Sequence, residues 1–164
     1  MALYFKGFLV ALKGAPTTIG VTVLAVIIGT ALGLLLALMR QSKIKIINLI
    51  AKIYIDVVRG TPLVVQAFIF AYGLPQMLQA HNVNFTWPYL VIPAIICCGL
   101  NSAAYMAEVI RSGLQAVDKG QMEAARSLGM THKMAMRLVI IPQAIKIILP
   151  AVGNEFVTLI KETS

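Results

Sequence analysis

Three polar side chains share one face of an otherwise apolar stretch. In Gly99-Leu100-Asn101-Ser102-Ala103-Ala104-Tyr105-Met106-Ala107-Glu108, a helical count puts Asn101, Tyr105 and Glu108 at i, i+4 and i+7. A polar stripe on a helix in lipid must face protein or water, because an isolated charge in mid-membrane costs about 2.5–3.5 kcal/mol on insertion scales. Glu108 therefore needs a partner, and Arg111 at i+3 is within reach. Such a stripe either lines a path for a polar solute or ties helices together through hydrogen bonds and an ion pair near the inner surface; spacing alone admits both. Gln66 interrupts a second apolar run, from Pro62 to Leu78. Asn154 and Glu155 follow Pro150 and Gly153, where a local break in the helix would aim both polar groups into a cavity. Lining and structural pairing are both open for Glu155.

These residues could hold and pass a polar solute; they are not a set for making or breaking its bonds. The chain has no GxxxxGK[ST] phosphate loop, no HExxH and no CxxC. Adjacent Cys97 and Cys98 point about 100° apart on a helix, which suits packing and not a bridge. His81 and His132 are expected in loops on opposite sides of a membrane. No catalytic residue, metal site or bound cofactor is expected.

The elements that must position these residues are membrane spans. Of 164 residues, 59% are hydrophobic and 12% charged, against roughly 45–50% and about 25% in soluble domains. At about 20 residues per span, the length allows four or five. The apolar runs place spans at about 15–39, 57–79, 88–114 and 138–160, with a polar region at 115–137, in one all-α transmembrane domain over residues 1–164. Residues 1–14 read as an interfacial amphipathic segment or a frayed terminus. Gly29 and Gly33 form a GxxxG step that Thr18, Thr22 and Ala25 extend, a face that lets another helix approach closely. The stretch from Arg40 to Arg59 reads as an amphipathic helix at or entering the membrane surface. The first connection carries five basic residues (Arg40, Lys43, Lys45, Lys52, Arg59), the second none, and the stretch from Arg111 to Arg137 five. The positive-inside rule then puts connections one and three in the cytoplasm and the N-terminus outside. Basic residues split between two loops, without interleaved stacking aromatics, exclude nucleic acid as a partner.

The polar region is the most specific feature. Gln121-Met122-Glu123-Ala124-Ala125-Arg126-Ser127-Leu128-Gly129 predicts a short helix closed by Gly129, and Met130-Thr131-His132-Lys133 restarts a second helix with Thr131 as its N-cap. Glu123-Ala124-Ala125-x-x-x-Gly129, followed after nine residues by Val139-Ile140-Ile141-Pro142, resembles the EAA motif, E-A-A-x3-G-x9-I-x-L-P, of ATP-binding-cassette importer permeases, with Val139 and Ile141 as conservative departures. Arg59-Gly60-Thr61-Pro62-Leu63-Val64-Val65-Gln66 and Asn101-Ser102-Ala103-Ala104-Tyr105-Met106-Ala107-Glu108 are similar to stretches of the polar amino acid permeases, the histidine, glutamate, glutamine, arginine and opine group.

The resemblance, which covers about Lys13 to the last residue, implies a type I importer in a bacterial plasma (inner) membrane. Two permease subunits, identical or different, would stand beside each other over a cytoplasmic ABC ATPase dimer that binds the ATP. An extracytoplasmic binding protein would deliver a polar amino acid. Gln66, Asn101, Tyr105, Glu108, Asn154 and Glu155 become substrate-path candidates. The helix after Gly129, with Met130, Thr131 and His132, would be the coupling helix, supported by Glu123, Ala124, Ala125 and Gly129. Permeases of this group usually carry a fifth span beyond this point, so the bundle is expected to lack the last one. The rival reading, an ATP-independent secondary transporter or small channel, has no use for a docking motif; a non-transporting scaffold leaves the polar sets unexplained.

Overall fold

The computed structural model describes residues 2–163, with side chains from residue 12 onward. Its described residues form helices α1 (Ala2–Arg40), α2 (Lys45–Arg59), α3 (Leu63–Phe68), α4 (Leu74–Ala80), α5 (Val91–Gln115), α6 (Lys119–Ser127), α7 (His132–Ala135) and α8 (Ile141–Thr163). Short π-helical turns, Ile69–Gly73 and Met136–Ile140, join α3 to α4 and α7 to α8. Among the described residues four stretches are long and apolar enough to cross a membrane: Leu12–Arg40, Leu63–Ala80, Val91–Gln115 and His132–Thr163. The amphipathic reading of residues 1–14 concerns side chains that lie largely outside the described ones.

Helices α1 and α5 run side by side in the same direction, and small residues set their distance. A Cβ built on Gly29 would stand 2.5 Å from Ser102 Oγ, and one on Gly33 would stand 2.5 Å from Met106 Cβ. The face predicted to continue this step does so, with Thr22 and Ala25 fully buried. Without a hydrophobic drive between helices in lipid, this close van der Waals fit is what holds the seam. Helix α8 returns antiparallel: near one end Gly113 of α5 abuts Ile148, and near the other Leu159 packs with Cys98, Ala25 and Val21. Cys97 and Cys98 are buried, free thiols, as a packing role requires.

Three expectations need correction. The second span does not begin near residue 57. Helix α2 ends at Arg59, Gly60-Thr61-Pro62 forms a break, and α3 starts at Leu63. Pro62 has no N–H to continue a helix and biases Thr61 away from helical dihedrals. Second, the helix after Gly129 is no separate element. It is the first turn of one helical rod that continues through the π turn into α8, because no helix-stopping residue separates His132 from Ile141. Third, α8 runs unbroken through Pro150 and Gly153. A single proline removes one backbone bond, and Gly153 keeps a negative φ.

The π turns have a common cause. Each ends two residues before a proline, Pro75 or Pro142. A proline cannot donate to the carbonyl four residues back and its ring crowds that carbonyl. The wider turn, with Leu74 N–H donating to the Ile69 carbonyl and Ile141 N–H to the Met136 carbonyl, carries the chain past the clash.

Candidate functional site

The break at Gly60-Thr61-Pro62 lies against the middle third of α5. Arg59, the last residue of α2, places its guanidinium carbon 5.2 Å from the centre of the Tyr105 ring, within the range of a cation–π contact. On the other side of the break Gln66 accepts a hydrogen bond from Asn101 Nδ2 at 3.3 Å. Its own amide nitrogen donates to the Val58 carbonyl at 2.8 Å and to Thr61 Oγ1 at 2.7 Å. Gln66 thus satisfies backbone groups that the break releases while anchoring them to α5. Tyr54 Oη donates to the Leu100 carbonyl at 2.8 Å, fixing α2 to the same stretch.

Around this junction opens a cavity of about 320 Å³, lined by Arg59, Thr61, Asn101, Tyr105 and Glu162 together with Gly60, Pro62 and Leu63. Asn101 is only 3% exposed. Glu162 and Glu155 stand two helical turns apart on one face of α8, and Glu155 is half-buried. The site therefore holds a guanidinium, a carboxylate, an amide and a phenol at mid-bundle. It can engage a small solute bearing charges of both signs, and it contains no nucleophile–base pair.

The predicted residues divide accordingly. Asn101 and Tyr105 line the cavity, Gln66 is bonded to its lining residues Asn101 and Thr61, and Glu155 is not among the lining residues. Nor is Glu108. Its Oε2 accepts from Arg111 Nε at 2.9 Å and Nη2 at 2.7 Å, the i, i+3 pairing read from the sequence. Arg111 also donates to Gln115 at 2.7 Å. Asn154 is exposed on α8, with its backbone carbonyl accepting from Thr158. Arg59 and Glu162 were missed: Arg59 counts as a loop cation and Glu162 as a tail residue until the break and the depth of α8 are known. The i, i+7 spacing of Glu162 from Glu155 was the available signal.

The second region is α6 and its turn. Asp118 caps α6 through a 2.6 Å bond from Gly120 N–H. At the other end, Met130 N–H donates to the Ala125 carbonyl at 3.1 Å and Gly129 N–H to the Arg126 carbonyl at 3.0 Å, with Gly129 at φ 83°. This is the Schellman closure, which requires a left-handed residue at that point. Thr131 Oγ1 accepts from Met134 N–H at 3.3 Å, the predicted N-cap. Ala125 is the buried residue of α6, and Val117, Ile140 and Ala144 form a core cluster beside it. Glu123, Ala124, Leu128, Gly129, His132 and Lys133 remain exposed, Leu128 by 82%. Gln41, Gln115 and Met136 meet in one cavity, so the ends of α1 and α5 and the start of the last rod lie together at this end of the bundle.

The chain resembles known proteins along nearly its whole length. It is 44% identical over 154 residues to the arginine transport system permease protein of Corynebacterium glutamicum, covering 90% of this chain and 48% of that protein. It is 41% identical over 166 residues to the octopine transport system permease protein of Rhizobium radiobacter, covering 99% and 67%. The chain thus spans about half the length of the first relative and two thirds of the second. A crystal structure of an amino acid ABC transporter with histidines matches at a TM-score of 0.81 and 51% identity, over 95% of this chain and 73% of that one. The family of binding-protein-dependent transport system inner membrane components matches residues 29–164, and this all-helical chain belongs to it.

Proposed function

We propose that the chain is the membrane-spanning permease subunit of an ATP-driven amino acid importer, and that the cavity at the α2–α3 break is part of its path. The carrying observation is the set of Arg59, Thr61, Asn101, Tyr105 and Glu162 around one mid-bundle cavity. Arg59 suits the carboxylate of an amino acid, and Glu162 with Glu155 suits its ammonium group or a basic side chain. Discontinuous helices are a recurrent way to expose such groups at mid-membrane.

Coupling runs through α6 and the Gly129 turn. This is the rigid protrusion on which Glu123, Ala124, Leu128 and His132 are exposed, and a cytoplasmic ABC ATPase dimer would seat it. The absence of a phosphate loop from the sequence fits ATP binding in that partner. Closure of the ATPases draws the protrusions of two permease subunits together and turns the bundles from inward-open to outward-open, an alternating-access shift. An extracytoplasmic binding protein delivers the amino acid on the side of the 81–90 loop, in a bacterial inner membrane. Reconstitution with the ATPase in proteoliposomes tests the path: Asn101→Ala and Glu155→Gln should each raise the KM for uptake several-fold, with the complex intact. Unchanged KM in both would overturn the assignment.

A further inference from the structure

The π turn at Ile69–Gly73 and Pro75 together remove the ordinary donors of one carbonyl. In an α-helix the Phe70 carbonyl would accept from Leu74 N–H, but that N–H is committed to the Ile69 carbonyl. In the wider register it would accept from residue 75, which is proline and has no N–H. The Phe70 carbonyl has a donor nonetheless: Nε1 of Trp87, at 3.0 Å, from 17 residues further along the chain. Trp87 is the only tryptophan of the chain. It is half-buried, held edge-on by Phe85 with ring centroids 4.8 Å apart. A backbone carbonyl in a span has no water to fall back on when its donor is lost, so this bond is not interchangeable with an exposed one.

We propose that Trp87 is a positioning residue for transport. Its indole N–H replaces the backbone donor missing at Pro75 and fixes the angle at which the α3–α4 half of the broken span leaves the cavity where Gln66 meets Asn101. The loop that carries Trp87, residues 81–90, is thereby tied to the half-helix whose first turn forms the site. The importance of the angle for uptake rests on the importer reading above; the tie itself does not.

The test is a mutant cycle on the full permease assembled with its ATPase in proteoliposomes. Trp87→Phe keeps the ring against Phe85 and deletes only the N–H. Pro75→Ala supplies a backbone N–H in reach of the Phe70 carbonyl in the same register. Trp87→Phe alone should speed amide hydrogen exchange over residues 69–80 by tenfold or more, and should raise the uptake KM several-fold for radiolabelled L-arginine or L-glutamine. In the Pro75→Ala background the same change should do neither. Equal exchange in Trp87→Phe and wild type overturns the tie, and an equal effect of Trp87→Phe in both backgrounds overturns the replacement of the Pro75 donor. Altered exchange with an unaltered KM overturns the positioning role. If the wild-type complex takes up neither probe, that result counts against the importer reading, while the exchange cycle still decides the tie.

Discussion

Gly33 has no room for a side chain. A Cβ there would meet Met106 Cβ at 2.5 Å, the Ala103 carbonyl oxygen at 3.0 Å and Ala107 N at 3.1 Å, and all three belong to a buried stretch of α5 that cannot yield. Gly33→Val should destabilise the bundle by about 1–3 kcal/mol, the usual range for overpacking, read as a lower melting midpoint in detergent. Gly14→Val, where nothing lies within 4 Å, is the control, and equal melting of the two variants would refute a tight seam. The sequence already carried this seam, because small residues four apart report directly on closeness. It also carried the Glu108–Arg111 pair, a neighbour relation within one helix. It follows that Glu108→Gln should leave the uptake KM unchanged, in contrast to Asn101→Ala; a comparable rise in both would return Glu108 to the path. Arg59 at Tyr105 could not be read this way, since residues 46 apart in sequence meet only when the chain breaks at Gly60 and the two halves take up a specific angle.

At the level of elements, local rules worked where the chain is local and failed where neighbours decide. The closure of α6 by Gly129 and the Thr131 cap were legible because both are set by local hydrogen bonds within five residues, backbone to backbone at Gly129 and backbone to side chain at Thr131. The start of the second span was not, because hydropathy cannot distinguish an amphipathic helix leading to a break from the first turns of a span. The intact α8 was also hidden: Pro150 looks like a stop, yet packing of Ala144 and Leu159 on either side of it keeps the helix continuous. The turn offers the sharper prediction. A β-branched residue in the left-handed region costs on the order of 1–2 kcal/mol, so Gly129→Val should tilt α6 out of register with the rod beneath it. In the reconstituted importer ATP hydrolysis should persist while uptake falls at least tenfold. Gly129→Asn, which tolerates that backbone conformation, should retain most of the uptake. Loss of uptake in both, with hydrolysis lost as well, would argue against a coupling role.

For the molecule as a whole, we propose that the end gathering the basic residues faces the cytoplasm. With Arg59 moved to the mid-bundle site, Arg40, Lys43, Lys45 and Lys52 remain in the first connection, and Lys119, Arg126, Lys133 and Arg137 surround α6. The structure brings the two sets to one end, where the end of α1, the end of α5 and the start of the last rod meet. The opposite loop, residues 81–90, contains no Lys or Arg. Losing one cation from the count leaves the asymmetry standing, and the positive-inside rule weighs Lys and Arg near span ends. Single cysteines can read the orientation directly, because native Cys97 and Cys98 are 0% and 6% exposed and should stay silent. With a membrane-impermeant maleimide, Asn84→Cys should label in intact cells, and Lys119→Cys only after permeabilisation; both positions are exposed. The reverse pattern would place α6 outside and away from any cytoplasmic ATPase. That result would leave the cavity chemistry untouched and remove its coupling to ATP.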